Sequence, residues 1–181
     1  MTARALLILD MLNTLDFPEA RQLYPKAMTA AKKIKKLKER CKKKKIPVIY
    51  VNDNFGQWRS DWKQIFTIVC SPKSLGGKLA RLLKPEDDDF FVLKPKHSGF
   101  YSTTLEVLLE QLKVKKLIIT GIAGNICVLF TANDAHMRDY EVIVPKDCIA
   151  SNSVKDNNFA LHQFENVFNF KITPSPSLKL D

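Results

Sequence analysis

The run Lys116-Leu117-Ile118-Ile119-Thr120, continued by Gly121-Ile122-Ala123-Gly124-Asn125-Ile126-Cys127, reads as a buried strand, a glycine-bearing turn and a cysteine that opens a helix. The unpaired N–H groups and positive dipole end of a helix favour negative charge. A cysteine there is expected to have a lowered pKa and to hold more of its reactive thiolate form. The same N–H groups can receive an oxyanion. Two other apolar runs end in a charge: Ala5-Leu6-Leu7-Ile8-Leu9 leads into Asp10, and Phe90-Phe91-Val92-Leu93 into Lys94. Ligands of open parallel sheets bind beyond the carboxyl ends of the strands, so Asp10, Lys94 and Cys127 are expected to share one cleft. The chemistry is that of an activated nucleophile. Cys127 attacks, Asp10 takes the thiol proton and delivers it to a leaving amine, and Lys94 stabilises the charges formed nearby.

The elements that must position these groups follow from the apolar pattern. Strands are expected near Arg4-Leu9, Pro47-Val51, Phe90-Leu93, Lys116-Thr120 and Glu141-Val144, with a short last strand near Phe168-Ile172. Helices are expected near Pro25-Lys44, Ser74-Leu83, Thr103-Lys113, Ile126-Arg138 and Val154-Phe164. Strands alternating with helices predict an α/β fold: a single-domain, doubly wound, Rossmann-like parallel sheet in a three-layer α/β/α sandwich spanning residues 1–181. The stretch from Asn54 to Ser74 is the least regular and is expected to roof the cleft. Its Phe55 and Trp58 are candidate pocket residues, with packing as the competing role. His97, in the turn after Lys94, is a candidate for the pocket wall. The tetrad Glu86-Asp87-Asp88-Asp89 reads as a solvated turn.

These segments closely resemble the isochorismatase-like hydrolases, a cysteine hydrolase superfamily that includes nicotinamidases, N-carbamoylsarcosine amidases and ureidoacrylate amidases. Four ordered motifs carry the resemblance: Leu7-Ile8-Leu9-Asp10-Met11-Leu12-Asn13, Val48-Ile49-Tyr50-Val51-Asn52-Asp53-Asn54-Phe55-Gly56, Val92-Leu93-Lys94-Pro95-Lys96-His97-Ser98-Gly99-Phe100, and Thr120-Gly121-Ile122-Ala123-Gly124-Asn125-Ile126-Cys127-Val128. The resemblance assigns the catalytic triad to Asp10, Lys94 and Cys127 and the oxyanion hole to the backbone N–H groups of Ala123 and Cys127. It also implies a cis peptide at Ile122-Ala123. By the same resemblance, the thiolate attacks a small amide or carbamoyl carbon, ammonia or an amine leaves, and water hydrolyses the thioester. Two alternatives remain: an isochorismatase-type vinyl ether hydrolase, and a catalytically silent module that binds a metabolite or partner.

Nicotinamidases set a metal beside the triad with an Asp-x-His element and further histidines after the second strand. Here the stretch from Asp53 to Trp62 contains no histidine. No metal and no cofactor are therefore expected, and substrate is expected to be held by backbone donors, Asn54 and aromatic contacts.

The net charge of +10 raises the question of nucleic acid or membrane. Much of it lies between Lys32 and Lys45, where Ala27, Ala30, Ala31, Ile34, Leu37 and Cys41 recur at helical spacing, so the lysines read as the solvated face of an amphipathic helix. No aromatics interleave to stack on bases, and neither specific nucleic-acid binding nor membrane association is expected. Four cysteines without metal-type pairing suit a reducing compartment, and no run approaches the roughly 20 apolar residues of a membrane span. The expected protein is cytoplasmic, a homo-oligomer, and acts on a small-molecule amide.

Overall fold

The computed structural model describes residues 3–56 and 61–180; Trp58 lies outside the described residues. Six strands form one parallel sheet: β1 (Arg4–Leu9), β2 (Val48–Asp53), β3 (Phe90–Lys94), β4 (Lys116–Ile122), β5 (Glu141–Ile143) and β6 (Ile149–Ala150). The order is β3-β2-β1-β4-β5, with β6 pairing to the far end of β4. Strand order therefore runs outward in both directions from β1 and β4, and the crevice of such a sheet opens at that switch point.

In β1 the residues from Ala5 to Leu9 are all fully buried, which is why this strand reads as a continuous apolar run and not an alternating one. Leu6 and Ile8 face α1 (Ala20–Lys43) and α3 (Gly77–Leu82), through Leu23, Ala27, Ile34, Leu37 and Leu79. Ala5, Leu7 and Leu9 face the other layer, α4 (Leu105–Gln111), α5 (Leu129–His136) and α6 (Val154–His162), through Leu105, Leu109, Ala132, Ala135 and Ala160. A doubly wound, three-layer sandwich results.

Several boundaries differ from the sequence reading. Helix α1 begins at Ala20, because Pro25 sits in its second turn and not its first, at the loss of one backbone hydrogen bond. Strand β2 continues to Asp53 by pairing with β3, Asp53 opposite Lys94. The run Phe168-Ile172 makes only a bridge from Lys171 to Ile143, and its aromatic rings stack on one another instead, Phe168 on Phe170 at 5.1 Å between centroids. The irregular stretch contains α2 (Trp62–Val69), capped by Asp61, whose Oδ1 accepts from the Gln64 N–H at 2.9 Å. Trp62 of this helix packs against Phe91 and Phe66 rather than over the cleft.

The acidic tetrad is not a wholly solvated turn. The Asp89 carboxylate is fully buried, with its oxygens 2.6 Å from Lys38 Nζ and 2.7 Å from Lys42 Nζ. Lys38, four residues after Ile34 and three before Cys41, falls within the apolar stripe of α1 and is buried with it, and its ammonium accordingly requires a carboxylate.

One glycine is required by close approach. Gly121 has φ of +123°, and a Cβ there would lie 2.1 Å from the Leu9 carbonyl oxygen, on the strand that delivers Asp10. Gly121→Ala is expected to cost about 3 kcal/mol or more, read as a lowered urea midpoint, because backbone and not a flexible side chain must yield.

Candidate active site

Three strand ends build the site. Asp10 follows β1 with φ of 52°; its N–H donates to Val51 O at 3.1 Å, and its Oδ1 accepts from the Asp53 N–H at 2.7 Å. This fixes the carboxylate against the end of β2. Lys94 closes β3, and its fully buried side chain places Nζ 2.9 Å from Asp10 Oδ2, 3.6 Å from Asp53 Oδ2 and 3.6 Å from Cys127 Sγ. It also donates to Lys96 O at 3.1 Å. Cys127 lies on the same cleft wall as Asp10, whose carboxylate acts on the thiol electrostatically.

Cys127 does not sit at an exposed helix N-terminus. After a cis peptide at Ile122-Ala123, residues Gly124–Val128 form a π-helical turn that runs directly into α5. The Ala123 carbonyl accepts from the Ile126 and Val128 N–H groups at 3.1 and 3.2 Å, and the Asn125 N–H donates to Ser151 Oγ at 3.2 Å. The loop after Lys94 is tied to α5: the Gly99 N–H donates to Thr131 Oγ1 at 2.9 Å, and Ser98 Oγ donates to the Asp134 carboxylate. Lys94 and Cys127 are thereby held in one frame.

The electrostatics reverse the expected state of the thiol. Burial, and then the Asp10 carboxylate, push the Cys127 pKa upward, and Lys94 opposes them only in part. Burial also raises the Asp10 pKa against the pull of Lys94. Burial disfavours the Lys94 ammonium, but Asp10, Cys127 and Asp53 outweigh it and its pKa rises. Burial thus favours a protonated thiol, while the 2.9 Å contact of Lys94 with Asp10 favours an ion pair beside it. Burial first and the neighbouring carboxylate second hold the proton on sulfur.

The site opens into a cleft of about 380 Å³. Asp10, Asp53, Ala123 and Cys127 line it, and so do Phe55 and His97 of the sequence-predicted pocket. Asn54 is buried beside it, with Oδ1 accepting from the Gly56 N–H at 3.0 Å, and is not on the wall. The sequence reading missed Asn13, Phe17, Glu19 and Asn152. Asn13 lies three residues beyond Asp10 in the same strand-end loop, and Asn152 two beyond β6, so the strand-end rule would have found both had β6 been recognised. A larger groove of about 970 Å³ runs beside the cleft from Thr14 to Leu75 and shares Phe17, but none of the three central groups lines it.

The residues here do not fit a metal. Asp53 Oδ1 is spent on the Phe55 N–H at 2.7 Å, its other oxygen faces Lys94, and no group of three His, Cys, Asp or Glu side chains among the described residues could hold an ion. A buried ammonium where a cation would approach is a poor neighbour for one.

A doubly wound parallel sheet with acid, ammonium and thiol at three strand ends has the form of an isochorismatase-like hydrolase. The isochorismatase domain profile matches residues 4–174, and the chain belongs to that family. It is 48% identical over 170 residues to the isochorismatase family protein YaaI of Bacillus subtilis, covering 94% of this chain and 93% of that one. The nicotinamidase of Staphylococcus aureus superposes with a TM-score of 0.73 at 25% identity, over 96% of this chain and 98% of its own. The N-carbamoylsarcosine amidase of Thermoplasma acidophilum gives 0.76 at 25% identity, over 98% and 99%. Among the described residues, no helix is long and apolar enough to cross a membrane.

Proposed function

We propose that this hydrolase is a cysteine amidohydrolase that cleaves a small amide or carbamoyl C–N bond through a thioester on Cys127. The observation that carries the reading is the thiol itself, on the wall of a cleft beside Asp10 and 3.6 Å from the Lys94 Nζ that holds that carboxylate at 2.9 Å. Ether hydrolysis would need the acid and not the sulfur. The likeness to a nicotinamidase and to an N-carbamoylsarcosine amidase supports the same reaction class.

In this reading the thiol proton passes to Asp10 as sulfur bonds to the carbonyl carbon, so no standing thiolate is needed. The carbonyl oxygen takes up the negative charge and is received by the N–H groups of Ala123 and Cys127. Asp10 returns the proton to nitrogen, the C–N bond breaks, and ammonia or an amine leaves. Water then attacks the thioester, giving its proton to Asp10, and the sulfur departs as it is reprotonated. Lys94 favours the ionised form of Asp10 at the start of each half-reaction, against the effect of burial. Phe55 and His97 on the wall suit a small, flat substrate.

Ammonia release from a panel of small amides, before and after iodoacetamide, tests the reading. Thiol-dependent release supports it, whereas activity that survives complete alkylation of Cys127 would point to ether-type chemistry. Chelation gives a second check. With Asp53 committed to Phe55 and Lys94, turnover after dialysis against EDTA is expected to stay at its starting rate; metal-dependent activity in elementally analysed protein would overturn this.

A further inference from the structure

The charge on the cleft wall restricts what can enter. Asp10, Glu19 and Asp53 line it, and among the described lining residues there is no lysine or arginine. The ammonium behind them, Lys94, is already faced by two of those carboxylates, at 2.9 and 3.6 Å. Glu19 stands exposed at the mouth, directly before α1, and its side chain makes no capping hydrogen bond and no ion pair among the described residues. Asn152 also lines the cleft. Its backbone carbonyl is held by Lys26 Nζ at 2.6 Å, while its side-chain Oδ1 is buried with no hydrogen-bond partner among the described residues. The excess positive charge of the chain lies elsewhere, much of it along α1.

We infer that the cleft selects amides that are neutral or cationic and rejects those that carry a carboxylate, with Glu19 setting the preference at the mouth. The inference names the substrate class of the amidohydrolase proposed above and rests on that reading for the reaction, but the charge selection can be measured without turnover.

The probes are iodoacetamide and iodoacetate, nearly isosteric and differing by one negative charge. Alkylation of Cys127 is followed by peptide mass mapping at pH 8 and low salt, and the rate ratio of neutral to anionic reagent is divided by the same ratio for free cysteine. Three carboxylates on the wall, with Lys94 behind them and Lys26 held on the Asn152 carbonyl, leave the cleft negative and give an expected normalised ratio of roughly tenfold, shrinking as salt is added. Glu19→Gln should lower it by about threefold, and Glu19→Lys should abolish or invert it. A normalised ratio of one or less overturns the inference, as does a Cys127 that neither reagent reaches. Ammonia release from benzamide, 3-carbamoylbenzoate and 3-(trimethylammonio)benzamide separates the two claims. Faster release from the carboxylate than from both partners defeats charge selection and leaves the hydrolase reading intact. No release from these three or from the wider panel of amides and carbamoyl compounds, with the labelling bias present, supports charge selection and defeats the hydrolase.

Discussion

Cys127→Ala is expected to lose turnover by at least about 10⁴-fold while keeping the circular dichroism and most of the stability of the parent. In the proposed mechanism the sulfur forms the covalent intermediate, and its loss removes the acylation step outright. Its packing contribution is modest, because Cys127 is partly exposed on the cleft wall. The fold at this point is held instead by Ala123 O, Ser151 Oγ and the buried Gly124 and Val128 of the π-helical turn. Cys127→Ser should be nearly as inactive. An alcohol is a far weaker acid than a thiol, and Asp10, although its pKa is raised by burial, remains a poor base for it. Ammonia release from the substrate found by screening checks both variants. A Cys127→Ala protein that retains near-parental rates would remove covalent catalysis from the account.

How much of this was legible in the sequence varied with the range of the interaction. Asp10, Lys94 and Cys127 could be placed together because each ends an apolar run, and a parallel sheet brings strand ends to one edge whatever their separation in the chain. The capping of α2 was also written locally, as Asp61 followed three residues later by Gln64, but the surrounding aromatics suggested a loop. The sixth strand was hidden for a different reason. Ile149 and Ala150 are too few to show a period, whereas the aromatic run ending at Ile172 resembles a strand and spends its rings on Phe164, His136 and one another. Asn152 was missed with that strand. The protonation of Cys127 was hidden most deeply, because helix position argues for a thiolate and only burial and the convergence of Asp10 on the same cleft show which influence wins.

The titration of Cys127 in two variants follows from those opposing causes. Burial and the Asp10 carboxylate both raise the thiol pKa, and Lys94 lowers it. Asp10→Asn removes one raising cause and leaves the ammonium facing the sulfur at 3.6 Å, so the midpoint of iodoacetamide alkylation against pH should move down from that of the parent. Lys94→Ala removes the lowering cause, and the midpoint should move up. Turnover falls in both. Asn cannot relay a proton, a loss of about 10²–10⁴-fold, and without Lys94 the buried Asp10 is driven further towards its neutral acid. In the parent, Asp10 must be ionised to accept the thiol proton, so kcat/KM should decline as pH falls through its raised pKa, placing the acid limb above the ordinary carboxylate range. The two shifts carry opposite signs, which a general loosening of the cleft would not produce. Movement of both alkylation midpoints in one direction, or of neither, would mean that acid, ammonium and thiol do not act on one another as their distances require.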